Sequence, residues 1–87
     1  QYSGSLAYYG QALQIYQALG ELDYAATMQH LLADGLGTIG QFPEAWRHLQ
    51  PALGYWRTDW NPRRHYGALM TASVLSRRPG APESVLW

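Results

Sequence analysis

Two polar side chains on one predicted helix are the first candidates for chemistry in this sequence. His30 and Asp34 are four residues apart, so they share one face of a helix. An imidazole and a carboxylate at this spacing can begin a metal site, but a zinc site needs three or four ligands. The pattern places no further His or carboxylate beside them. We therefore predict no metal and no cofactor, and we interpret the pair as polar residues on a solvated or groove-lining surface.

The residues needed for nucleophilic catalysis are missing or scattered. The chain has no Cys, no Ser within a Gly-x-Ser-x-Gly turn, and no Gly-Lys-Ser/Thr loop to hold a phosphate. Its carboxylates belong mostly to predicted helix caps, first turns and turns, and they do not form facing pairs. They are Glu21, Asp23, Asp34, Glu44, Asp59 and Glu83. We therefore predict that the protein is not an enzyme.

One local cluster of basic residues lies beside aromatic ones. Arg63 and Arg64 lie between Trp60 and His65, and an Arg beside a ring can stack a nucleobase or pair with a phosphate. The formal net charge of the chain is zero, which gives no bulk attraction for nucleic acid or an anionic membrane. We therefore predict neither of these partners. We interpret Trp60, Arg63 and Arg64 as candidate anchors for a protein partner.

Composition bounds the kind of protein. The chain has 87 residues, enough for one small domain. Only 14% of them are charged, below the usual ~25%, and four Trp and seven Tyr suggest surfaces that are meant to be covered. No segment approaches the ~20 apolar residues of a membrane span. We expect a cytoplasmic protein. All six basic residues are Arg, which suggests a GC-rich bacterial genome, and the ends suggest a piece of a longer chain.

The first two predicted helices position the polar pair. In residues 3–20 the apolar residues recur at spacings of 3, 4 and 3, which predicts one helix that ends at Gly20. They are Leu6, Tyr9, Leu13 and Tyr16. Asp23 is expected to cap a second helix, which ends at Gly40. Its apolar stripe is Met28, Leu32, Leu36 and Ile39. Gly35 and Gly37 each cost ~1 kcal/mol inside a helix, which indicates close approach of a neighbouring helix or a ligand.

Proline marks the starts of the later helices. Pro43 and Pro62 each suit a first helical position, and Pro82 predicts the start of a fifth helix. The third helix runs to about Arg57, and we expect Pro51, on its outer face, to bend it without ending it. Its stripe is Ala45, Leu49, Ala52, Leu53 and Trp56. The stripe of the fourth helix is Tyr66, Leu69, Met70, Ser73 and Val74.

The later part of the chain repeats features of the earlier part at an interval of 40 positions. Ala12-Leu13 corresponds to Ala52-Leu53, and Gly40 corresponds to Gly80. An interval of roughly 20–50 positions is typical of a solenoid, in which helical hairpins stack because one hairpin cannot bury its apolar face alone.

Residues 23–57 resemble a tetratricopeptide repeat, whose pattern is W-x2-L-G-x2-Y, then A-x3-F, A and P. Eight residues stand at the pattern's positions: Gln29, Leu32, Ala33, Leu36, Ala45, Leu49, Ala52 and Arg57. Gln29, Leu36 and Arg57 depart from the Trp, Tyr and Pro of that pattern. The spacing near 40 resembles the longer repeats of kinesin-light-chain-like members of the family, which are common in bacterial signalling proteins.

The resemblance implies an all-α fold in which antiparallel helix-turn-helix hairpins stack as a right-handed α-solenoid. About four helices and the start of a fifth are expected in one repeat region over residues 1–87. Residues 3–20 are then the second helix of a preceding repeat, residues 23–57 a full repeat, and residues 61–87 part of the next.

The resemblance also implies a concave groove lined by the first helix of each repeat. The residues expected to line it are Thr27, His30, Asp34, Gly37 and Thr38. The best-known ligand mode of the family clamps a terminal carboxylate with Lys and Asn. This chain has no Lys, and Asp34 would repel such a ligand.

Two functions of different classes remain open from the sequence. The first is a non-catalytic protein-protein interaction module that binds a peptide or helix in its concave groove. The alternative is a structural or regulatory repeat segment, a spacer or sensor, within a larger bacterial signalling or transcription regulator. Such a segment would self-associate through exposed repeat ends.

Overall fold

Four α-helices make up the part of the chain that the structure, a computed structural model, describes: residues 4–59 and 61–78. The helices are α1 (Ser5–Leu19), α2 (Leu22–Thr38), α3 (Phe42–Thr58) and α4 (Pro62–Leu75). No strand occurs among these residues, so the predicted all-α class is confirmed. The predicted fifth helix lies outside them. No helix in the described ranges has the length and apolar content that crossing a bilayer requires.

The first two helices end in the same glycine geometry. Gly20 and Gly40 have φ angles of 74° and 84°, in the left-handed region that glycine adopts without steric cost. In both turns the residue after the glycine donates its N–H to the carbonyl five residues earlier, at 2.9 Å. This is the Schellman arrangement. The two turns reverse the chain twice and make α1, α2 and α3 successive antiparallel neighbours.

The starts of α2 and α4 differ in how they are capped. The Asn61 side chain accepts the backbone N–H of Arg64 at 3.3 Å and so caps the start of α4. The predicted cap of α2 is wrong, because α2 begins at Leu22 and its N-cap position, held by Glu21, has no side-chain hydrogen bond. Asp23 lies inside the first turn, where its carboxylate bonds to another helix.

The centre of the fold is α2, which packs against α1, α3 and α4. Its two interior glycines explain how close these neighbours come. A Cβ on Gly35 would lie 2.5 Å from a methyl of Leu6 in α1, and a Cβ on Gly37 would lie 2.8 Å from a methyl of Leu75 in α4. A close helix neighbour, one of the two predicted reasons for these glycines, is therefore present at both positions.

The apolar stripe of α3 is the best-predicted face of the molecule. All five of its predicted core residues are buried, and Trp46 joins them. Pro51 is exposed, and α3 continues through it to Thr58, as predicted. On α2, by contrast, Ile39 is 56% exposed, because the helix has already ended at Thr38.

The buried face of α4 is not the predicted one. Small residues and one leucine pack against the core: Ala68, Ala72 and Leu75. Of the predicted stripe, Tyr66, Met70 and Val74 are each at least half exposed. Small residues let α4 approach its neighbours closely, so it is the larger apolar side chains that remain outside.

Candidate functional site

A groove of 380 Å³ lies between the C-terminal halves of α2 and α4, and we call it the α2–α4 groove. Three helices and the residues after α4 line it: Asp34, Gly37, Thr38, Phe42, Met70, Thr71, Val74, Leu75 and Arg78. Because Gly37 has no side chain, Leu75 can reach the backbone of α2 there. The groove therefore has an apolar floor with polar groups around it.

The charged groups of the groove are one acid and one base. Asp34 and Arg78 are both exposed, and neither forms an ion pair within the described part of the chain. The Arg78 guanidinium lies over the Phe42 ring, 5.9 Å from its centroid, in a cation–π arrangement. A ligand that places a cation near Asp34 and an apolar side chain near Met70 would match these groups.

His30 connects α2 to α4 beside the groove. Its Nε2 is 2.8 Å from the Thr71 hydroxyl, and its ring meets the Trp56 ring edge-on at 6.2 Å. Burial lowers the pKa of His30 below its usual value; Asp34 opposes this shift and Arg64 adds to it. A neutral imidazole held by both neighbouring helices is a packing element, and it does not line the groove.

Asp23 joins three helices at the other end of α2. Its carboxylate accepts the indole N–H of Trp56 at 2.9 Å and lies 3.8 Å from the Arg64 guanidinium. Trp56 is buried and Arg64 is partly exposed. The predicted partner anchor Arg64 therefore holds α4 to α2, although a pair this exposed contributes ~1 kcal/mol or less.

The predicted groove residues separate into two groups. Asp34, Gly37 and Thr38 lie together in the α2–α4 groove. His30 and Thr27 lie outside it: the Thr27 hydroxyl donates to a backbone carbonyl of its own helix at 3.0 Å. Of the predicted anchors, Arg63 is exposed, Arg64 pairs with Asp23, and Trp60 lies outside the described residues.

Sequence reasoning missed the α4 side of the groove. Met70, Val74 and Arg78 recur every four residues, so they form one line along the helix and its end. That spacing was a usable signal. The spacing alone does not show which way this line of residues faces. Ala68 and Ala72 face the core, and this places Met70 and Val74 at the groove.

A second pocket, of 840 Å³, lies between α1, α2 and α3. Amide side chains line its α1 wall: Gln11, Gln14 and Gln17. His48 closes it from α3, with its Nδ1 2.7 Å from the Gln29 side-chain oxygen. Burial lowers the pKa of His48, with Glu44 opposing the shift and Arg47 adding to it. This pocket has no charged wall.

The two pockets present apolar, amide, hydroxyl and charged side chains. Within residues 4–59 and 61–78, no three His, Asp or Glu side chains converge as metal ligands would. Searches against protein-family models, curated proteins and solved structures find no match to the chain. The resemblance to tetratricopeptide repeats therefore stays a prediction, and function must be argued from the geometry of the site.

Proposed function

We propose that this chain is a non-catalytic protein-interaction module, a stack of helical hairpins that binds a peptide or helix in the α2–α4 groove. One observation supports this above the others. Three of the five predicted groove residues, Asp34, Gly37 and Thr38, lie in a single open groove whose other wall, on α4, presents apolar side chains. Such a mixed lining is typical of a peptide-binding groove.

The spacing of the elements supports a repeat arrangement. Helix α2 starts at Leu22 and α4 starts at Pro62, 40 positions later, while the ends of α1 and α3 are 39 positions apart. In addition, α2 packs both on α3, its partner in the hairpin, and on α4, its counterpart in the next repeat. In a solenoid the equivalent helices of successive repeats line one surface. The groove lies where that surface would be.

The charges of the groove favour a basic ligand side chain near Asp34. The Arg78 guanidinium is already placed over the Phe42 ring, whereas Asp34 has no ion-pair partner among the described residues. An exposed carboxylate in such a groove contributes orientation and selectivity more than affinity. The apolar residues Met70 and Val74 would supply most of the binding energy.

The test is a selection of peptides from a displayed random library on the wild-type chain and on Asp34→Arg. We expect the peptides selected on the wild-type chain to contain a Lys or Arg. These peptides should bind Asp34→Arg about tenfold more weakly, because like charges then repel each other in the groove. The peptides selected on Asp34→Arg should be acidic. Far-UV circular dichroism should show unchanged helicity, since Asp34 is exposed.

The matched control is Asp59→Arg, the same charge change at the end of α3, away from the groove. It should leave peptide choice unchanged. If Asp34→Arg and Asp59→Arg select the same peptides as the wild type, the groove is not the binding surface.

A second function is favoured by the exposed apolar residues on α1 and α4. Tyr8 and Leu19 of α1 and Tyr66 of α4 are each at least 65% exposed. Surfaces of this kind suit a segment that stacks against further structure. We propose as the alternative a structural or regulatory repeat segment of a larger cytoplasmic bacterial regulator. A wild-type chain that selects no peptide would favour this alternative.

A further inference from the structure

Three polar side chains of the α2–α4 groove offer a ligand hydrogen-bond acceptors. Besides Asp34, two threonines line the groove, Thr38 on α2 and Thr71 on α4. A hydroxyl has one proton to donate and two lone pairs with which to accept. Where that proton is already used inside the protein, only the accepting side of the oxygen is left for a ligand.

The proton of the Thr38 hydroxyl is used by its own helix. Thr38 Oγ1 donates to the backbone carbonyl of Asp34, one turn earlier, at 3.0 Å. A threonine inside a helix often bonds in this way to the carbonyl four residues before it. Thr38 is exposed, so the lone pairs of its oxygen remain open to a ligand, on the same helix face as the Asp34 carboxylate.

The proton of the Thr71 hydroxyl is also used inside the protein, whichever ring nitrogen of His30 carries a hydrogen. Thr71 Oγ1 lies 2.8 Å from His30 Nε2 and 3.4 Å from the backbone carbonyl oxygen of Gly67. If Nε2 carries a hydrogen, it donates to Oγ1, and the hydroxyl donates to Gly67. If Nε2 carries none, it accepts the hydroxyl proton itself. In both cases Oγ1 keeps a lone pair that a ligand in the groove can use.

The helix dipoles add negative potential to the groove. It lies at the C-terminal ends of α2 and α4, where a helix dipole is negative and attracts cations. Neither of these two helices has a basic residue in its last turn, whereas α3 has Arg57 in its own. Arg78 follows α4 and lies over the Phe42 ring. Within the described residues it forms no ion pair with Asp34, so Asp34 can pair with a cation of the ligand.

From these acceptors we propose that the α2–α4 groove recognises an arginine side chain of its peptide ligand and prefers it to lysine. A guanidinium has five N–H donors in a planar fork and no acceptor, which suits acceptors carried by two walls of a groove. The lysine ammonium is a compact, strongly hydrated point charge. This inference rests on the proposed peptide-binding function and names the side chain that Asp34 selects.

The apolar residues of the groove favour arginine as well. Met70 and Val74 line the α4 wall and are 51% and 55% exposed. The aliphatic stem of an arginine can pack on such a surface while its charged end reaches the acceptors. A guanidinium is also more weakly hydrated than an ammonium, so it loses less hydration when it enters the groove.

The test uses peptides selected on the wild-type chain from the displayed random library, each synthesised with arginine and with lysine at its basic position. Fluorescence anisotropy gives the two dissociation constants. The arginine peptides should bind about tenfold more tightly, because they form additional charge-assisted hydrogen bonds. On Thr38→Val and on Thr71→Val this ratio should fall to about threefold or less, since each variant keeps the side-chain shape and removes one acceptor.

The matched control is Thr58→Val. Thr58 is exposed and bonds to the carbonyl four residues earlier, as Thr38 does, but it lies outside the groove. This variant should keep the wild-type ratio. Thr71→Ser retains the hydroxyl and should keep the ratio too, which separates loss of the acceptor from damage at the contact with His30. Circular dichroism checks the folding of each variant, and the exposed Thr38 decides the matter if Thr71→Val unfolds.

The outcomes separate this inference from the function on which it rests. Arginine and lysine peptides of equal affinity, both weakened by Asp34→Arg, would overturn the arginine preference and leave the peptide-binding groove intact. An arginine preference that neither Thr38→Val nor Thr71→Val reduces would overturn the role of the hydroxyl acceptors. A chain that selects no peptide, or peptides that Asp34→Arg binds as well as the wild type does, would overturn the proposed function and this inference with it.

Discussion

Two buried tryptophans of α3 differ in a single polar contact. Trp46 and Trp56 are 2% and 1% exposed. The indole N–H of Trp56 donates to Asp23 at 2.9 Å, whereas that of Trp46 has no hydrogen-bond partner among the described residues. An unpaired buried donor costs free energy, and a paired one stabilises by about 1 kcal/mol. Two similar side chains on one helix therefore contribute differently to stability.

This difference predicts the order of two matched substitutions. Trp56→Phe should lower the free energy of unfolding by about 1 kcal/mol more than Trp46→Phe, because only Trp56→Phe removes a hydrogen bond. Both variants lose a similar volume, so the cost of the cavity largely cancels. Urea unfolding followed by circular dichroism gives both values. Equal losses would show that the bond to Asp23 contributes nothing.

At the scale of the helices, glycine positions decide which neighbours approach closely. Gly37 faces Leu75, and a Cβ there would lie 2.8 Å from a Leu75 methyl. Gly54 lies in α3, and a Cβ there would meet no atom within 4 Å. Both glycines are helical, so both pay the same cost in helix propensity. Only at Gly37 is that cost offset by packing.

We therefore expect opposite results from two alanine substitutions. Gly54→Ala should raise the free energy of unfolding by about 0.5–1 kcal/mol, through helix propensity alone. Gly37→Ala should be about 1 kcal/mol less stable than Gly54→Ala, because the buried Leu75 has little room to move. Thermal unfolding of the two variants under one set of conditions tests the difference. If Gly37→Ala is as stable as Gly54→Ala, the contact between α2 and α4 is not close enough to exclude a methyl group.

The elements were more predictable than the faces they bury. Glycine and proline signals gave four helices close to their observed bounds, because caps and first-turn residues act locally. The buried side of α4 was not predictable in this way. Its large residues Tyr66 and Met70 suggested one face, but the small residues Ala68 and Ala72 pack on the core. Which face is buried depends on how closely a neighbouring helix approaches, and that distance is set by the whole stack.

The α2 side of the groove was predictable from local spacing, but its α4 side was not. Asp34, Gly37 and Thr38 lie in the groove because they share one face of α2, and helical spacing gives that directly. His30 fulfils a different role, since Thr71 lies opposite it on α4. No local pattern could reveal that pairing between residues 41 positions apart. The α4 wall of the groove likewise depends on tertiary packing.

At the scale of the whole molecule, the described residues present two kinds of surface. The α2–α4 groove is open and mixed in polarity, whereas the exposed side chains of Tyr8 and Leu19 on α1 and Tyr66 on α4 are apolar or aromatic and lie outside it. Met70 lines the groove and is 51% exposed, so it is accessible to a ligand there.

We infer that the α2–α4 groove is the binding surface of this chain. The most direct measurement is a titration of the isotope-labelled chain with a selected peptide, followed by the backbone amide signals in NMR. We expect the largest shifts at Asp34, Thr38 and Val74, which line the groove, and little change at Gln14 and Gln17, which line the second pocket. The largest shifts at Gln14 and Gln17, with the groove unmoved, would contradict it.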